Sequence, residues 1–501
     1  MHTTALAVFC FFFLLVTVAG FWAARWRRPA AGIASLEEWG LAGRSFGTLI
    51  TWFLIGGDLY TAYTVIAVPA ALYGAGAMGF FALPYAVVAY PYMMVVMPRL
   101  WRVCHRHGYI TLADFVAGRY GFPPLTLAIA LTGILSLMPY IALQLVGMRV
   151  VLAAMGLHGE WPLAAAFVIL AAYTYSGGLR APAVIAIVKD LMLYIMVIAA
   201  IIVLPLKLGG YAHIFAVASA ALATHTPAAS INLRPGQFLP YSTLAIGSAV
   251  ALMLYPHTAT AVMSARSANT VRRNAALLPA YSFLLGLIAL LGYAALAAGV
   301  HTKDTSMAVP LLFLGQFPEW FAGFCLSAIA IGALVPAAIM SIAASNLFTR
   351  NLYGAFRRTP LTPVEESRIA KLVSLFIKFG ALLFVLRLPA PYAIEMQLLG
   401  GIWIAQLFPA VVCGVFTRWF HPWALLAGWA AGMIAGSAMA IALGLKSSVY
   451  PIHLLGQTYA MYAAVPALLL NLLVAAVLTP LCRALASGNG ADTTDAAMYI
   501  G

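Results

Sequence analysis

Apolar residues run through this chain in blocks of about twenty, the length a helix needs to cross the hydrocarbon core, separated by short polar or basic breaks. Each block predicts a membrane-spanning helix. Cutting at the charged and Pro/Gly-rich breaks gives about thirteen spans, near 4–24, 46–74, 76–98, 124–155, 161–177, 184–208, 241–264, 275–299, 318–349, 369–388, 391–416, 421–445 and 461–481. A β-barrel would show short alternating segments instead. The first block is followed by its charges, Arg25, Arg27 and Arg28, and not preceded by them, so it reads as an uncleaved span and not as a secretory signal. The expected class is an all-α polytopic membrane protein.

Two spans are interrupted by residues that hydrocarbon does not favour. The second contains LIGGDLYTAYTVIAVPAALYGAG, where Gly56-Gly57-Asp58 and then Tyr60, Thr61, Tyr63 and Thr64 fall near membrane mid-depth. Irregular backbone persists there only when it is buried in protein or lines a watery cavity, and secondary transporters hold ions and substrates at such breaks. Glycines alone would equally serve as a notch for a neighbouring helix. The seventh span contains YPHTATAV, where Pro256 frees a carbonyl beside His257, Thr258 and Thr260. Breaks in the second and seventh spans are what two inverted five-helix repeats, each opening on a broken helix, would produce.

Composition agrees with the pattern: 64% of residues are hydrophobic and 8% charged. The net charge of +14 comes from arginines in short loops, a topology signal and not a nucleic-acid footprint. Basic clusters follow the first, third, fifth, seventh and ninth spans, which puts the N-terminus outside and the C-terminus in the cytoplasm, in a bacterial inner membrane. The five cysteines show no metal or disulfide spacing. Residues 1–483 are read as one transporter domain: a peripheral helix at 4–24, a core at about 46–416 and extra helices at 421–481. Residues 484–501 are expected to be a disordered tail, and Gly354–Lys371 a solvated connector. There is no GxxxxGK[ST] nucleotide loop, so pumping must draw on an ion gradient, with no cofactor beyond the coupling cation.

The second span, TLADFVAGRYG (Thr111–Gly121), YSGGLRA (Tyr175–Ala181), the YPH break and VPAAIMSIAASNLFTRNLYG (Val335–Gly354) together resemble the sodium:solute symporter family. They stand in the family's order, and the resemblance reaches from the second span to about Leu481. The GDLYTAYT version looks like the branch that carries acetate, lactate and pyruvate. The resemblance implies a ten-helix inverted-repeat core and alternating access. It also implies a sodium site between the broken first core helix and the eighth. Laid on this chain, that site takes carbonyls near Gly57, Tyr60 and Ala338, and a hydroxyl from Ser341. The second hydroxyl position falls on Ile342 and the family's nearby aspartate on Ala186, so two side-chain oxygens are missing. Lys189 stands one turn beyond. It either fills the vacant cation position and makes the symporter proton-coupled, or snorkels to the interface or pairs with Asp190.

A small carboxylate needs helix-end N–H groups, hydroxyls or a cation in a compact pocket. Thr61, Tyr63 and Thr64, just after the break, are the first candidates, with Gln144, Tyr255 and Trp403 beside them. Tyr140 is a packing residue or a pocket residue. Arg149 is a counter-ion on the anion's path or an interfacial arginine. Asp58 and His257 form a candidate proton relay; the other readings are that Asp58 caps the outer half-helix and that His257 bonds a freed carbonyl. The expected function is import of short-chain monocarboxylates with a cation, a proton sooner than sodium. The alternative is a sodium symporter of another organic solute, such as an amino acid or vitamin acid. Asp58, Lys189, Asp190, His257 and Glu395 lie on different spans without HExxH-type spacing, which argues against an enzyme.

Overall fold

Hydrocarbon offers no partner to a peptide N–H or C=O, so a chain this apolar satisfies its backbone within helices. The structure is a computed structural model that describes residues 3–26, 34–387, 393–485 and 490–499. Arg27, Arg28 and the junction of the tenth and eleventh expected spans, 388–392, lie outside the described residues. Among the described residues, eleven helices are long and apolar enough to cross a membrane.

Helix α1 (Thr3–Ala23) and the short α2 (Leu36–Leu41) precede the first broken helix. Its halves are α3 (Thr48–Leu59) and, after a turn and a π-helical stretch (Tyr63–Ala67), α4 (Val68–Ala75). There follow α5 (Ala82–His107), α6 (Leu112–Tyr120), α7 (Pro123–Ala154), α8 (Trp161–Gly177), α9 (Arg180–Lys207) and α10 (Tyr211–Ala223). The second broken helix is α11 (Phe238–Leu254) and α12 (Pro256–Met263). The remainder is α13 (Ala268–Leu277), α14 (Pro279–Ala297), α15 (Ala308–Gln316), α16 (Glu319–Leu347), α17 (Pro363–Arg387), α18 (Ala393–Ile404), α19 (Gly414–Phe416), α20 (Pro422–Ala442) and α21 (Ala464–Leu485).

The first break does not fall at Gly56-Gly57-Asp58. Those residues stay helical through Leu59, and the chain leaves the helix at Tyr60, with φ −85° and ψ 86°. The two glycines serve close approach instead. A Cβ on Gly56 would lie 2.0 Å from Cζ of Tyr281, and one on Gly57 would lie 3.2 Å from both Ala186 Cβ and Lys189 Nζ. The second break falls where the proline predicts: Tyr255 is extended at φ −59°, ψ 133°, and Pro256 opens α12, where a missing N–H costs nothing.

At the centre runs α16, buried along its whole apolar stretch and packed by α7, α1, α9 and α17. Small residues set the crossings, as they do between helices in lipid. A Cβ on Gly323 of α16 would sit 2.3 Å from the carbonyl of Ala5 on α1, and one on Gly428 of α20 would sit 2.5 Å from that of Asn471 on α21. One element departs from the all-helical expectation, an antiparallel hairpin of β1 (Val449–Leu454) and β2 (Gln457–Tyr462) between α20 and α21. Tyr462 anchors it: its N–H donates to Thr243 Oγ1 at 3.0 Å, and its hydroxyl donates to the carbonyl of Leu398 at 2.6 Å.

Several arginines near the helix ends pair with carboxylates of neighbouring elements. Arg180 pairs with Glu38 at 2.7 Å, Arg44 with Glu37 at 2.7 Å, and Arg350 with Asp114 and Glu366 at 3.6 and 3.5 Å. Helix α5 continues to His107, so Arg99, Arg102 and Arg106 lie on its last turns and not in a loop. The expected connector at Gly354–Lys371 is helical from Pro363 onward, because Glu365 and Glu366 suit a helix's first turn. Residues 490–499 correct the expectation of a disordered tail. Asp492 pairs with Arg119 at 2.6 Å and with Arg418 at 3.1 Å, and the Thr493 N–H donates to the carbonyl of Gly118 at 2.8 Å. Arg119 is buried and also donates to the carbonyls of Gly414 and Thr417, so the tail completes a charge that the bundle alone leaves uncompensated.

Replacing Asp492 by Ala removes the acceptor for both guanidiniums, at a cost of about 1–2 kcal/mol in tail docking. The expected readout is faster carboxypeptidase removal of the C-terminal residues in detergent. Equal rates for the variant and the wild type would show that backbone contacts alone hold the tail.

Candidate substrate and cation site

The break after Leu59 leaves polar backbone in the interior, and its neighbours complete it. The Thr61 N–H turns to the carbonyl of Leu59, so the carbonyl of Gly57 loses the partner that a continuing helix would supply. Lys189 takes that place. Its ammonium donates to the carbonyl of Gly57 at 2.5 Å and to that of Tyr60 at 2.8 Å, and lies 3.1 Å from Asp190 Oδ1. Both members of this ion pair are fully buried. Of the ammonium's three donors, two go to the carbonyls, and the Asp190 carboxylate stands within ion-pair distance. The other carboxylate oxygen of Asp190 accepts from the Tyr281 hydroxyl at 2.6 Å, and the Tyr60 hydroxyl donates to the Tyr281 carbonyl at 2.9 Å. The closed set ties α9, α3 and α14 together.

Lys189 therefore faces the break and pairs with Asp190 at once, and it does not snorkel. Of the other cation-site candidates, Gly57 and Tyr60 meet it. Ala338 and Ser341 engage each other instead: the Ser341 hydroxyl donates to the Ala338 carbonyl at 2.8 Å. Ile342 is buried apolar surface, and Ala186 packs against Gly57.

Between the two breaks lies a second polar cluster. Asp58 Oδ2 stands 3.5 Å from His257 Nε2 and 3.5 Å from the Thr258 hydroxyl, while Asp58 Oδ1 and His257 Nδ1 have no hydrogen-bond partner. Asp58 thus reaches across to the other broken helix and does not cap its own. The rings of Tyr140 and Tyr255 flank His257 at 5.3 and 5.2 Å. The Tyr63 hydroxyl and the Gln397 Oε1 are among the other buried atoms without a hydrogen-bond partner. The Tyr255 hydroxyl donates to the Gln397 carbonyl at 3.0 Å, joining α18 to the cluster.

Three substrate-contact candidates are committed to the break itself. Gln144 Oε1 accepts from the Ala62 N–H at 3.0 Å, Thr61 Oγ1 accepts from the Tyr63 N–H at 3.0 Å, and the Thr64 hydroxyl donates to the Leu59 carbonyl at 2.6 Å. They satisfy backbone that a continuous helix would satisfy alone. Trp403 turns away, its indole N–H donating to Ser437 of α20 at 3.1 Å. Arg149 donates to the carbonyl of Val385 on α17 at 3.1 Å. Tyr281 carries no sequence signal, because an aromatic in an apolar helix reads as packing. Lys378, a charge inside the tenth apolar block, had such a signal and is absent from the candidate set above.

Residues 39–436 match the model of the sodium:solute symporter family. The chain belongs to the sodium:solute symporter family. A relative in Rhizobium johnstonii, described as a monocarboxylate transport permease protein, is 53% identical over 97% of this chain and 98% of its own length. The uncharacterized symporter YodF of Bacillus subtilis is 33% identical over 90% of each chain. The fold is shared with a solved Na+-coupled sialic acid symporter in a substrate-bound outward-open state, at a TM-score of 0.76 and 15% identity, covering 95% of this chain and 97% of that one. In this symporter, then, two helices are broken and an amine sits on carbonyls of the first.

Gln144→Leu strands the Ala62 N–H in the interior and should lower stability by about 1–3 kcal/mol, measured by thermal unfolding in detergent. Trp403→Phe, outside the cluster, should leave the substrate KM within about twofold. A larger KM change in the second variant would return Trp403 to the binding site.

Proposed function

We propose that this symporter imports short-chain monocarboxylates of the acetate, lactate and pyruvate class by proton symport with alternating access. The observation that carries the reading is the Lys189 ammonium on the carbonyls of Gly57 and Tyr60. Sodium requires hard oxygen ligands, and here two of the family's oxygens already serve an amine while two side-chain oxygens are replaced by Ile342 and Ala186. A protonated Lys189 does the work of a bound cation, joining α9 to the break in α3. A neutral one loses its attraction to the Asp190 carboxylate and loosens that joint. Ionisable residues at membrane depth mark proton pathways in transporters.

The carboxylate class rests on the relative described as a monocarboxylate permease, with the unpaired buried polar atoms of Tyr63, His257 and Gln397 as candidate contacts. Asp58, 3.5 Å from His257, would repel an incoming anion unless it holds a proton, which suits these two residues to a relay. The basic clusters face the cytoplasm in this reading, with the protein in the bacterial inner membrane.

The test is uptake of labelled acetate, lactate and pyruvate into liposomes holding the purified protein, under a proton or a sodium gradient. Uphill uptake is expected to rise as the external pH falls, without sodium. Each proton moved down one pH unit contributes about 1.4 kcal/mol, a tenfold accumulation. Lys189→Gln should abolish proton-driven accumulation. Full proton dependence in that variant, or a strict need for sodium in the wild type, would sink the proposed coupling.

A further inference from the structure

A second lysine lies in the interior and, among the described residues, forms no ion pair with a carboxylate. Lys378, on α17, is 1% exposed, and its Nζ donates to the Ser374 hydroxyl at 2.7 Å. That hydroxyl donates to Ser341 Oγ of α16 at 3.3 Å, and Ser341 donates to the Ala338 carbonyl at 2.8 Å. The row runs in one donor direction from the amine to the α16 segment that the family uses for its cation.

The elements packed on α17 are α16, α7, α8, α2 and the π-helical turn Phe348–Tyr353. Their charged groups are engaged elsewhere or stand at helix ends. Glu37 and Glu38 of α2 hold Arg44 and Arg180, Arg350 holds Asp114 and Glu366, Arg149 bonds Val385, and Glu319 opens α16. The tyrosines there are Tyr140 on α7, Tyr173 and Tyr175 on α8, and Tyr353. None forms a hydrogen bond or ion pair with Lys378 among the described residues. Structural glue would need a counter-ion, which Lys189 has in Asp190 and Lys378 lacks.

We propose that Lys378 is a second proton-binding residue of the transport cycle, so that two protons accompany each monocarboxylate. This rests on the proton-symport reading. Charged, Lys378 can only donate, which polarises the hydroxyl row toward the Ala338 carbonyl. Neutral, it gains a lone pair that can accept from Ser374, and the row is free to reverse. The charge on α17 is thereby reported to α16 beside the cation position. One proton is gained by the amine from one side of the membrane and lost to the other, with no bond made or broken besides N–H. With lactate carrying one negative charge, two protons leave one net positive charge moving inward.

The experiment uses the full chain in liposomes with lactate as probe. A pH difference and a valinomycin-set potassium potential are imposed separately. Counterflow exchange of lactate serves as the check that each variant is folded. The wild type should accumulate lactate under an inside-negative potential at equal pH. Lys378→Met should keep the pH-driven uptake and the counterflow but lose the potential-driven part. Ser374→Ala, which cuts the row and leaves the amine, should slow the potential-driven uptake severalfold, and it decides the matter if Lys378→Met fails to fold. Potential-driven uptake that is normal in Lys378→Met, or in Ser374→Ala, overturns the proposal. A wild type that responds to pH but not to potential also overturns it while leaving proton symport standing. A wild type driven by sodium alone overturns both.

Discussion

Everything in this molecule follows from how a helix interrupted inside a membrane keeps its peptide groups bonded. At Tyr60–Ala62 the backbone leaves the helix where no water can replace the lost partners. Side chains from three directions supply them: Lys189 from α9, Gln144 from α7, and Thr61 and Thr64 from the broken helix itself. The break is thus a junction between helices, and any change in one partner is felt by the others. That is the property an alternating-access transporter needs at its centre.

The junction exists because the helices can come close enough. Gly56 admits the ring of Tyr281, and Gly57 admits Ala186 and the Lys189 ammonium, at distances that a Cβ would forbid or strain. Tyr281 in turn holds Asp190, which balances Lys189. The site is therefore neutral as a pair, with two donors of the amine on backbone carbonyls and the carboxylate held by Tyr281. Burying an ion pair this completely is tolerable only with such added hydrogen bonds.

Two polar centres share α3. One is the amine on the carbonyls of Gly57 and Tyr60. The other is Asp58, pointing across to His257 and Thr258 on the second broken helix. Consecutive residues of one helix turn address different neighbours because each residue rotates the helix face by ~100°. The amine's carbonyls and the carboxylate that reaches the second broken helix are accordingly one residue apart, close enough to influence each other through a single turn of backbone.

The sequence by itself determined the class, the apolar blocks, the two broken helices and a lysine, Lys189, inside one of those blocks. Those features are written in local composition: twenty apolar residues, a proline, a charge where none belongs. It misplaced the first break because glycine carries two meanings, a helix breaker and a place of close approach, and only the ring of Tyr281 against Gly56 decides between them. It named Thr61, Thr64, Gln144 and Trp403 without their partners, since a polar side chain in a span reads the same whether it serves a substrate or its own backbone. It passed over Lys378, Ser374 and Tyr281, whose roles appear only across helix–helix contacts. The docked tail was equally invisible, because a short polar segment orders only when Arg119 and Arg418 await its aspartate. Hydrophobicity is a property of a segment and can be read along the chain. The partner of a hydrogen bond is a property of two segments, and only tertiary structure brings them together.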